Sequence, residues 1–451
     1  MSNAVNSELK SESRRFRAYS TYKESGVEWL GRIPEGWEVS PLYARYDVKL
    51  GKMLDSGRFT GQFRGSYLRN TDVQWDRVNV SDLHEMDFAP SERERYLLRA
   101  GDLLVCEGGE VGRTAIWQGA LAECFYQKAL HRVRPLSSRE HPRFLFWIMR
   151  MVADRGVFSG TANQNTIDHL TATQLRHYRF PFPTHAEQRA IAVFLDWETA
   201  RIDALVAKKE RLIALLQERR TALITRAVTK GLDPVVRMKD SGVEWLGKIP
   251  AHWEVRPFRY CCRVSEGQVP PDDERFRDYI LIAPNHLESG TGRILFTETA
   301  HEQGAISGKY RVDEGDIIYS KIRPALNKVC MARGDWLCSA DMYPIKATTR
   351  DLTTAYLLNF MLSDPFVRLM RDESMRVAMP KVNRDTLAGC PLLIPSVLEQ
   401  HLIADAIEQQ TYRIDALIAR IRAAITRLHE LRIALISAAV TGKIDVREAA
   451  Q

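Results

Sequence analysis

The tract Ser25-Gly-Val-Glu-Trp-Leu-Gly-Arg-Ile-Pro-Glu-Gly-Trp-Glu-Val39 returns 216 positions later as Ser241-Gly-Val-Glu-Trp-Leu-Gly-Lys-Ile-Pro-Ala-His-Trp-Glu-Val255, with 12 of 15 residues identical. Other landmarks recur in the same order. Gly101-Asp102-Leu103-Leu104 matches Gly315-Asp316-Ile317-Ile318, 214 positions on. Pro183, Glu187, Gln188, Ile191 and Ala192 match Pro395, Glu399, Gln400, Ile403 and Ala404, 212 positions on, and Arg201-Ile-Asp-Ala-Leu205 matches Arg413-Ile-Asp-Ala-Leu417 at that same spacing. A period this long exceeds any solenoid unit and has the size of a domain plus an element, which predicts two copies of one large module. Each copy reads as a Trp-rich leading segment, a mixed domain and a long helix.

Beyond Glu399, apolar residues climb a seven-residue ladder of Ile407, Ile414, Ile421, Leu428 and Leu435, and Leu417, Ala424, Leu431 and Ala438 complete an a/d seam. Neither Gly nor Pro interrupts residues 399–441. Roughly forty residues at about 1.5 Å each make a rod about 60 Å long. The first copy carries the same ladder with one polar rung, Leu195, Ile202, Lys209, Leu216 and Leu223, with Leu205 and Leu212 between. Neither helix can bury such a stripe alone, so the two are expected to pair, antiparallel about a pseudo-twofold axis. The alternative is that each packs on its own domain. If the symmetry holds, the leading segment around Trp29 docks at the end of the second helix, near Val440.

The mixed domains occupy residues 40–180 and 256–393. Short β-type runs such as 102–106, 279–282 and 316–319 alternate with turn clusters, and helical stretches fall at 144–153 and 355–362, which predicts an α+β fold. The expected plan is a disordered tail over 1–21, a leading segment and first domain over 22–180, and a central helix over 181–238. The second leading segment and domain follow over 239–394, then a C-terminal helix over 395–451.

Composition narrows the function. No run of eighteen apolar residues exists, and the first twenty residues match neither a signal peptide nor a spanning helix, so a cytoplasmic protein without a membrane partner is expected. Seven cysteines without a Cys-x-x-Cys pair argue for reduced, buried thiols rather than a disulfide framework or a zinc site. Lys and Arg exceed Asp and Glu by 64 to 57, a modest pointer to a polyanionic partner. There is no Gly-x-x-x-x-Gly-Lys-Ser/Thr loop, no Asn-Pro-Pro-Tyr or Asp-Pro-Pro-Tyr of an amino-methyltransferase and no nuclease-type acidic-x-Lys triplet after Pro271-Asp272. Scattered histidines lack metal-ligand spacing. No catalytic or metal site is expected.

Polar, basic and aromatic residues cluster in each domain. In the first they are Gln62, Arg64, Tyr67, Arg69 and Asn70, the Gly-rich stretch ending at Arg113, and Asn163, Gln164 and Asn165. In the second they are Ser320, Lys321, Arg323 and Asn327, then Arg376, Lys381, Asn383 and Arg384. Arg, Lys, Asn and Gln read guanine and adenine edges and also hold phosphates without reading sequence, so these sets are candidate DNA contacts.

The doubled Ser-Gly-Val-Glu-Trp-Leu-Gly-x-Ile-Pro-x-x-Trp-Glu-Val, the doubled Pro-x-x-x-Glu-Gln at the helix starts, the Arg-Ile-Asp-Ala-Leu pair and the helix ends Ala227-Val-Thr-Lys-Gly231 and Ala439-Val-Thr-Gly-Lys443 together resemble the specificity subunit of type I restriction-modification systems. The resemblance runs from Tyr22 to Val446. It implies that the divergent bodies are target recognition domains, each reading one half of a split double-stranded DNA site. It also implies that the paired helices set the spacer and dock two methyltransferase subunits. S-adenosylmethionine, ATP and magnesium would then belong to the methyltransferase and the restriction (helicase-nuclease) subunits, with no cofactor on this chain. An autonomous bipartite DNA-binding regulator and an enzyme with an unrecognised site stay open as alternatives.

Overall fold

The computed structural model describes residues 17–54, 57, 59–158, 169–374 and 380–447. By contacts the chain divides into two units that do not follow its linear plan: unit 1 joins Met1–Lys208 to Ala423–Gln451, and unit 2 is Lys209–Arg422. Each unit thus combines one mixed domain with the first half of its own long helix and the last half of the other. Of the expected disordered tail, residues 1–16 lie outside the described residues. Residues 17–21, exposed apart from Tyr19, are tied to the fold at two points: Arg17 bridges Asp445 in an antiparallel pair, and the Tyr19 ring lies edge-on to Trp37 at 5.8 Å.

In unit 1 four strands, β1 (Tyr46–Leu50), β2 (Leu103–Cys106), β3 (Thr114–Ile116) and β4 (Leu130–Pro135), form an antiparallel sheet in the order β3-β2-β4-β1. One face of it packs on helix α1 (Pro142–Asp154), whose Phe144, Leu145, Phe146, Trp147, Ile148 and Met149 are all buried. That core continues into the start of the long helix α2 (His185–Lys230). Unit 2 repeats the plan with β5 (Cys262–Val264), β6 (Ile317–Ser320), β7 (Val329–Met331) and β8 (Met342–Ala347) in the order β5-β8-β6-β7. Helix α3 (Thr354–Met361) takes the place of α1, and α4 (Val397–Val440) is the second long helix. Each domain adds a second sheet, three-stranded in unit 1 and four-stranded in unit 2, holding one parallel pair: Phe125–Tyr126 with Arg64–Leu68 in unit 1 and Leu281–Ile282 with Trp336–Cys338 in unit 2. The α+β expectation holds. All seven cysteines are buried, and no helix among the described residues is long and apolar enough to cross a membrane.

The doubled Pro-x-x-x-Glu-Gln motif acquires a physical meaning at the helix starts. Glu187 and Thr184 cap α2 reciprocally, and Ser396 accepts from the Glu399 amide at the start of α4. The buried Gln188 amide donates to the Pro183 carbonyl while its oxygen accepts from His141 N at the head of α1. Gln400 does the same with Pro395 and with Thr353 N at the head of α3. One glutamine thereby ties each long helix to the orphan donors of the neighbouring short helix.

Within each unit the two helix halves run antiparallel. In unit 1 Glu187 sits near Arg447, while further along α2 Asp203 accepts from Arg432 Nε at 3.1 Å. In unit 2 Arg220 Nε pairs with Asp415 at 3.2 Å, and further along α2 the Glu399 carboxylate lies 3.4 Å from where a Cβ on Gly231 would sit. Asp203 and Asp415 are the aspartates of the doubled Arg-Ile-Asp-Ala-Leu, so the two units contain the same ion pair, contributed the opposite way round.

The seam needs one correction. Leu195, Ile202, Ile407, Ile414, Ile421 and Leu435 are buried, and Leu216, Leu223, Leu428 and Leu431 half-buried, as the ladder requires. Leu205, Leu212 and Leu417, however, are 41%, 44% and 44% exposed. At most rungs the second line of the seam runs four residues on rather than three, through Thr199, Val206, Arg220 and Ala227 in α2 and Thr411, Ile418 and Ala439 in α4, all buried. A heptad splits as three plus four in either order. With Leu417 and Ile418 adjacent and both apolar, only the approach of the partner helix decides which one turns inward.

The leading segments dock as the symmetry predicts. A Cβ added to Gly442, just past α4, would fall 2.3 Å from Pro34 and 3.2 Å from Trp37, and Tyr22 donates its hydroxyl to the Gly442 carbonyl at 3.0 Å. In unit 2 Trp253 and Pro250 take the same places around Gly231, which ends α2 with φ +73°.

Candidate nucleic-acid interface

In both units the strand pair at the sheet edge, β2–β3 or β6–β7, is joined by a loop with two left-handed turns. In loop 107–113 these are Gly109 (φ 80°) and Gly112 (φ 81°); in loop 321–328 they are Arg323 (φ 48°) and Asn327 (φ 41°). Each loop is zipped to the segment just before the mixed domain's last short helix, Ala172–His177 in unit 1 and Arg384–Gly389 in unit 2. Leu170 N donates to Glu107 O at 2.8 Å, and Val382 N donates to Lys321 O at 2.8 Å. A buried side chain on the neighbouring strand then clamps the acceptor segment: His131 Nε2 donates to Leu170 O at 2.6 Å, and the Tyr343 hydroxyl donates to Val382 O at 3.2 Å. The tautomer of His131 follows from this bond, since a carbonyl only accepts. Burial pushes the His131 pKa below its ordinary value, outweighing the Leu170 bond. A third repeated contact closes the far end of each loop, where Arg113 Nη2 donates to Asn70 O at 2.8 Å and Lys328 Nζ donates to Pro284 O at 2.6 Å.

The side chains on this shared frame differ. Around loop 321–328 the structure gathers four of the expected cations, two of them on one aromatic ring. Lys321 Nζ lies 5.4 Å and Arg384 Cζ 5.7 Å from the Tyr343 centroid. Arg323 N donates to Pro380 O, and Lys381 faces Ile322 across an isolated bridge. Arg384 also pairs with Glu266. Arg323 and Lys381 are exposed and, among the described residues, have no carboxylate partner. An exposed cation held in a strained left-handed conformation is the kind of outlier that binding sites retain. Asn383 is exposed but accepts from Thr386 N as the cap of a short helix, Arg384–Gly389.

Loop 107–113 presents Glu107 and Glu110 instead, and the Asn70 amide lies 3.8 Å from where a Cβ on Gly109 would sit. Gln62 and Arg64 stay exposed. Gln62 lines an open hollow of about 910 Å³ with Lys52, Met53, Phe59 and Phe63, and Arg64 lies over the Phe59 ring at 5.7 Å.

Several expected contact residues serve the fold instead. Tyr67 is buried in the small sheet and Ser320 at the end of β6, because each belongs to a strand face that packs inward. Arg69 is held by both carboxylate oxygens of the buried Asp72, at 2.9 and 2.8 Å, and the hydrogen bond to Asp72 raises its pKa. Arg113 closes its own loop. Asn327 is buried, donating to the Met361 carbonyl at 3.0 Å. Asn163, Gln164, Asn165 and Arg376 lie outside the described residues. Lys328, His131 and Tyr343 escaped the sequence reading. An alignment of the two copies by the strands flanking each loop would have found them.

Residues 34–213 and 252–427 match the family model described as type I restriction modification DNA specificity domain. The chain is 28% identical over 319 residues to the type I restriction enzyme EcoDI specificity subunit of Escherichia coli, covering 67% of this chain and 70% of that one. It is 22% identical over 446 residues to the Escherichia coli EcoBI specificity subunit, covering 94% and 90%. A chain from the solved structure described as the basis of complex assembly and conformational transition of the type I R-M system superposes with a TM-score of 0.66 at 15% identity, covering 90% of this chain and 98% of that one.

Proposed function

This chain belongs to the family of type I restriction-modification DNA specificity domains, and we propose that its two loop edges, 107–113 and 321–328, each read one half of a bipartite duplex site. The observation that carries this reading is the loop frame itself. Two units with divergent surfaces keep the same strand order, the same two left-handed turns and the same zipping hydrogen bond. A constant backbone with variable side chains suits one binding geometry applied to different base sequences. Arg323 and Lys381 supply charge for phosphates or guanine edges in the second half-site. The first half-site is met by a polar, partly acidic loop, where carboxylates accept from cytosine amino groups.

The chain is a reading scaffold without chemistry of its own. Two methyltransferase subunits carry S-adenosylmethionine, and restriction subunits carry ATP and magnesium. Exposed apolar residues on the long helices fit docking of the methyltransferase subunits: Trp197 under Arg201 at 5.1 Å and Leu205 in unit 1, Leu402, Tyr412 and Leu417 in unit 2. For Leu205 and Leu417 the exposure follows directly from the corrected seam. The test replaces residues 40–180 with the matching domain of a relative, reconstitutes the complex with methyltransferase subunits and maps methylated adenines genome-wide. One half of the motif should change while the other stays. A motif that changes in both halves, or in neither, overturns the reading.

A further inference from the structure

Beside each recognition loop lies a second, shorter turn that touches both the loop and a long helix. In unit 1 it is turn 74–77, between the paired strands Val73–Gln74 and Arg77–Val78. Trp75 donates its indole N–H to Glu110 of the recognition loop, and Asp76 N donates to Thr114 O at the loop's exit. On its other side Asp76 accepts from Arg143 Nη2 at 2.7 Å, and Arg143 Nε reaches Asp196 of α2 at 2.7 Å. The sequence of contacts is loop, turn, arginine, long helix.

Unit 2 builds the same connection from different residues. Turn 288–293 donates Gly290 N to Asn327 O at 3.1 Å, the left-handed residue that closes the recognition loop. Its far side is gripped by the helices: Arg220 Nη2 of α2 donates to Thr291 O at 2.9 Å, and Arg422 of α4 reaches the Glu288 carboxylate at 3.3 Å. Arg220 is nearly buried, in the seam, and also holds Asp415. A guanidinium placed there is costly to bury unless all its partners are present, which ties the turn's position to the helix pairing.

We infer that turns 74–77 and 288–293 are struts that fix the recognition loop to the long helix, so that a loop seated on DNA holds the helix, and the methyltransferase docked on it, at the target adenine. Asp76 and Glu288 are positioning residues: they touch neither DNA nor the reacting atoms. This rests on the reading of the loops and helices proposed above. Both copies keep the link between the same end points, loop and helix, although the side chains that make it are unrelated, which is what selection on the connection rather than on any one contact would leave.

The test uses Asp76→Asn and Glu288→Gln, each nearly isosteric, with Asn also tolerating the left-handed backbone of Asp76 (φ 57°). In the complex reconstituted with methyltransferase subunits, affinity for the cognate duplex should change less than about twofold. Single-turnover methylation should fall roughly tenfold, because a reacting group displaced by about 1 Å loses that much or more. The loss should be confined to one half-site for each variant. Hydrogen exchange gives the second readout: in the wild type DNA protects loop 107–113 and α2 around Asp196, whereas in Asp76→Asn the loop stays protected and the helix does not. Equal losses of affinity and rate, unchanged rates, or helix protection that survives the substitution would each overturn the strut. Failure of the underlying reading looks different, as absence of loop protection in the wild type itself.

Discussion

Loop 107–113 makes its left-handed turns with Gly109 and Gly112, whereas loop 321–328 makes the same turns with Arg323 and Asn327. Glycine adopts positive φ at no steric cost, while an ordinary side chain there costs about 1–2 kcal/mol. The first loop therefore sits relaxed on its frame and presents carboxylates; the second is strained and presents a cation. Two regions descended from one ancestor have kept the backbone path and exchanged the means of holding it. The path is the shared requirement, and the side chains are what each half-site selects.

The sharpest way to break the comparison is to remove the glycine where it is indispensable. A Cβ on Gly112 would fall 2.5 Å from the buried Phe158 ring on top of a φ of +81°. Gly112→Ala should cost roughly 2–4 kcal/mol from overpacking and backbone strain together. Asn327→Ala in unit 2 should cost about half as much, through its lost bond to Met361 and the poorer left-handed fit of Ala. Urea unfolding of both variants checks the ratio; an equal effect would mean that the glycine turn is no more demanding than its counterpart in unit 2.

A second experiment separates strain from function. Arg323→Gly relieves the left-handed backbone and should raise stability by about 1 kcal/mol. The same change removes a cation from the second recognition edge and should weaken binding to the cognate duplex roughly tenfold, with a shallower salt dependence if the contact is to phosphate. A variant that is more stable and binds equally well would show that the strain serves nothing at the DNA.

Much of the plan was legible because duplication leaves landmarks at fixed offsets. The two modules, their α+β character and the docking of the Trp29 segment beyond Val440 all follow from aligning the copies, and the structure agrees. Individual contacts were legible only where composition and geometry coincide. Arg323, Lys321, Lys381 and Arg384 come together because they flank loop segments that zip to each other. Arg69 and Arg113 look identical in sequence but are spent on Asp72 and on the Asn70 carbonyl. A charge run does not disclose whether a partner lies within the fold. The seam failed at Leu205, Leu212 and Leu417 for a related reason, since a one-dimensional ladder fixes one line of contact and leaves the side of the second to the partner helix.

The smallest expected effect tests the clamps behind the loops. His131 and Tyr343 hold Leu170 and Val382 in the same way, yet only the imidazole titrates near neutrality. Burial lowers the His131 pKa in the folded state, so on acidification the unfolded chain takes up the proton first, near the ordinary value of 6.5. Stability contributed by the neutral ring is therefore complete above about pH 6.5 and declines as the pH falls below it. Acidification should loosen the segment that zips loop 107–113 while leaving the Tyr343 clamp intact. Binding to duplexes altered in one half-site at a time should show the first half losing affinity as the pH falls below about 6.5 and the second holding. His131→Gln keeps an N–H donor for the Leu170 carbonyl without the titration, and should abolish that difference whatever it costs in overall stability. If both half-sites respond alike in the wild type, or if the difference survives in His131→Gln, the imidazole is not what distinguishes the two edges.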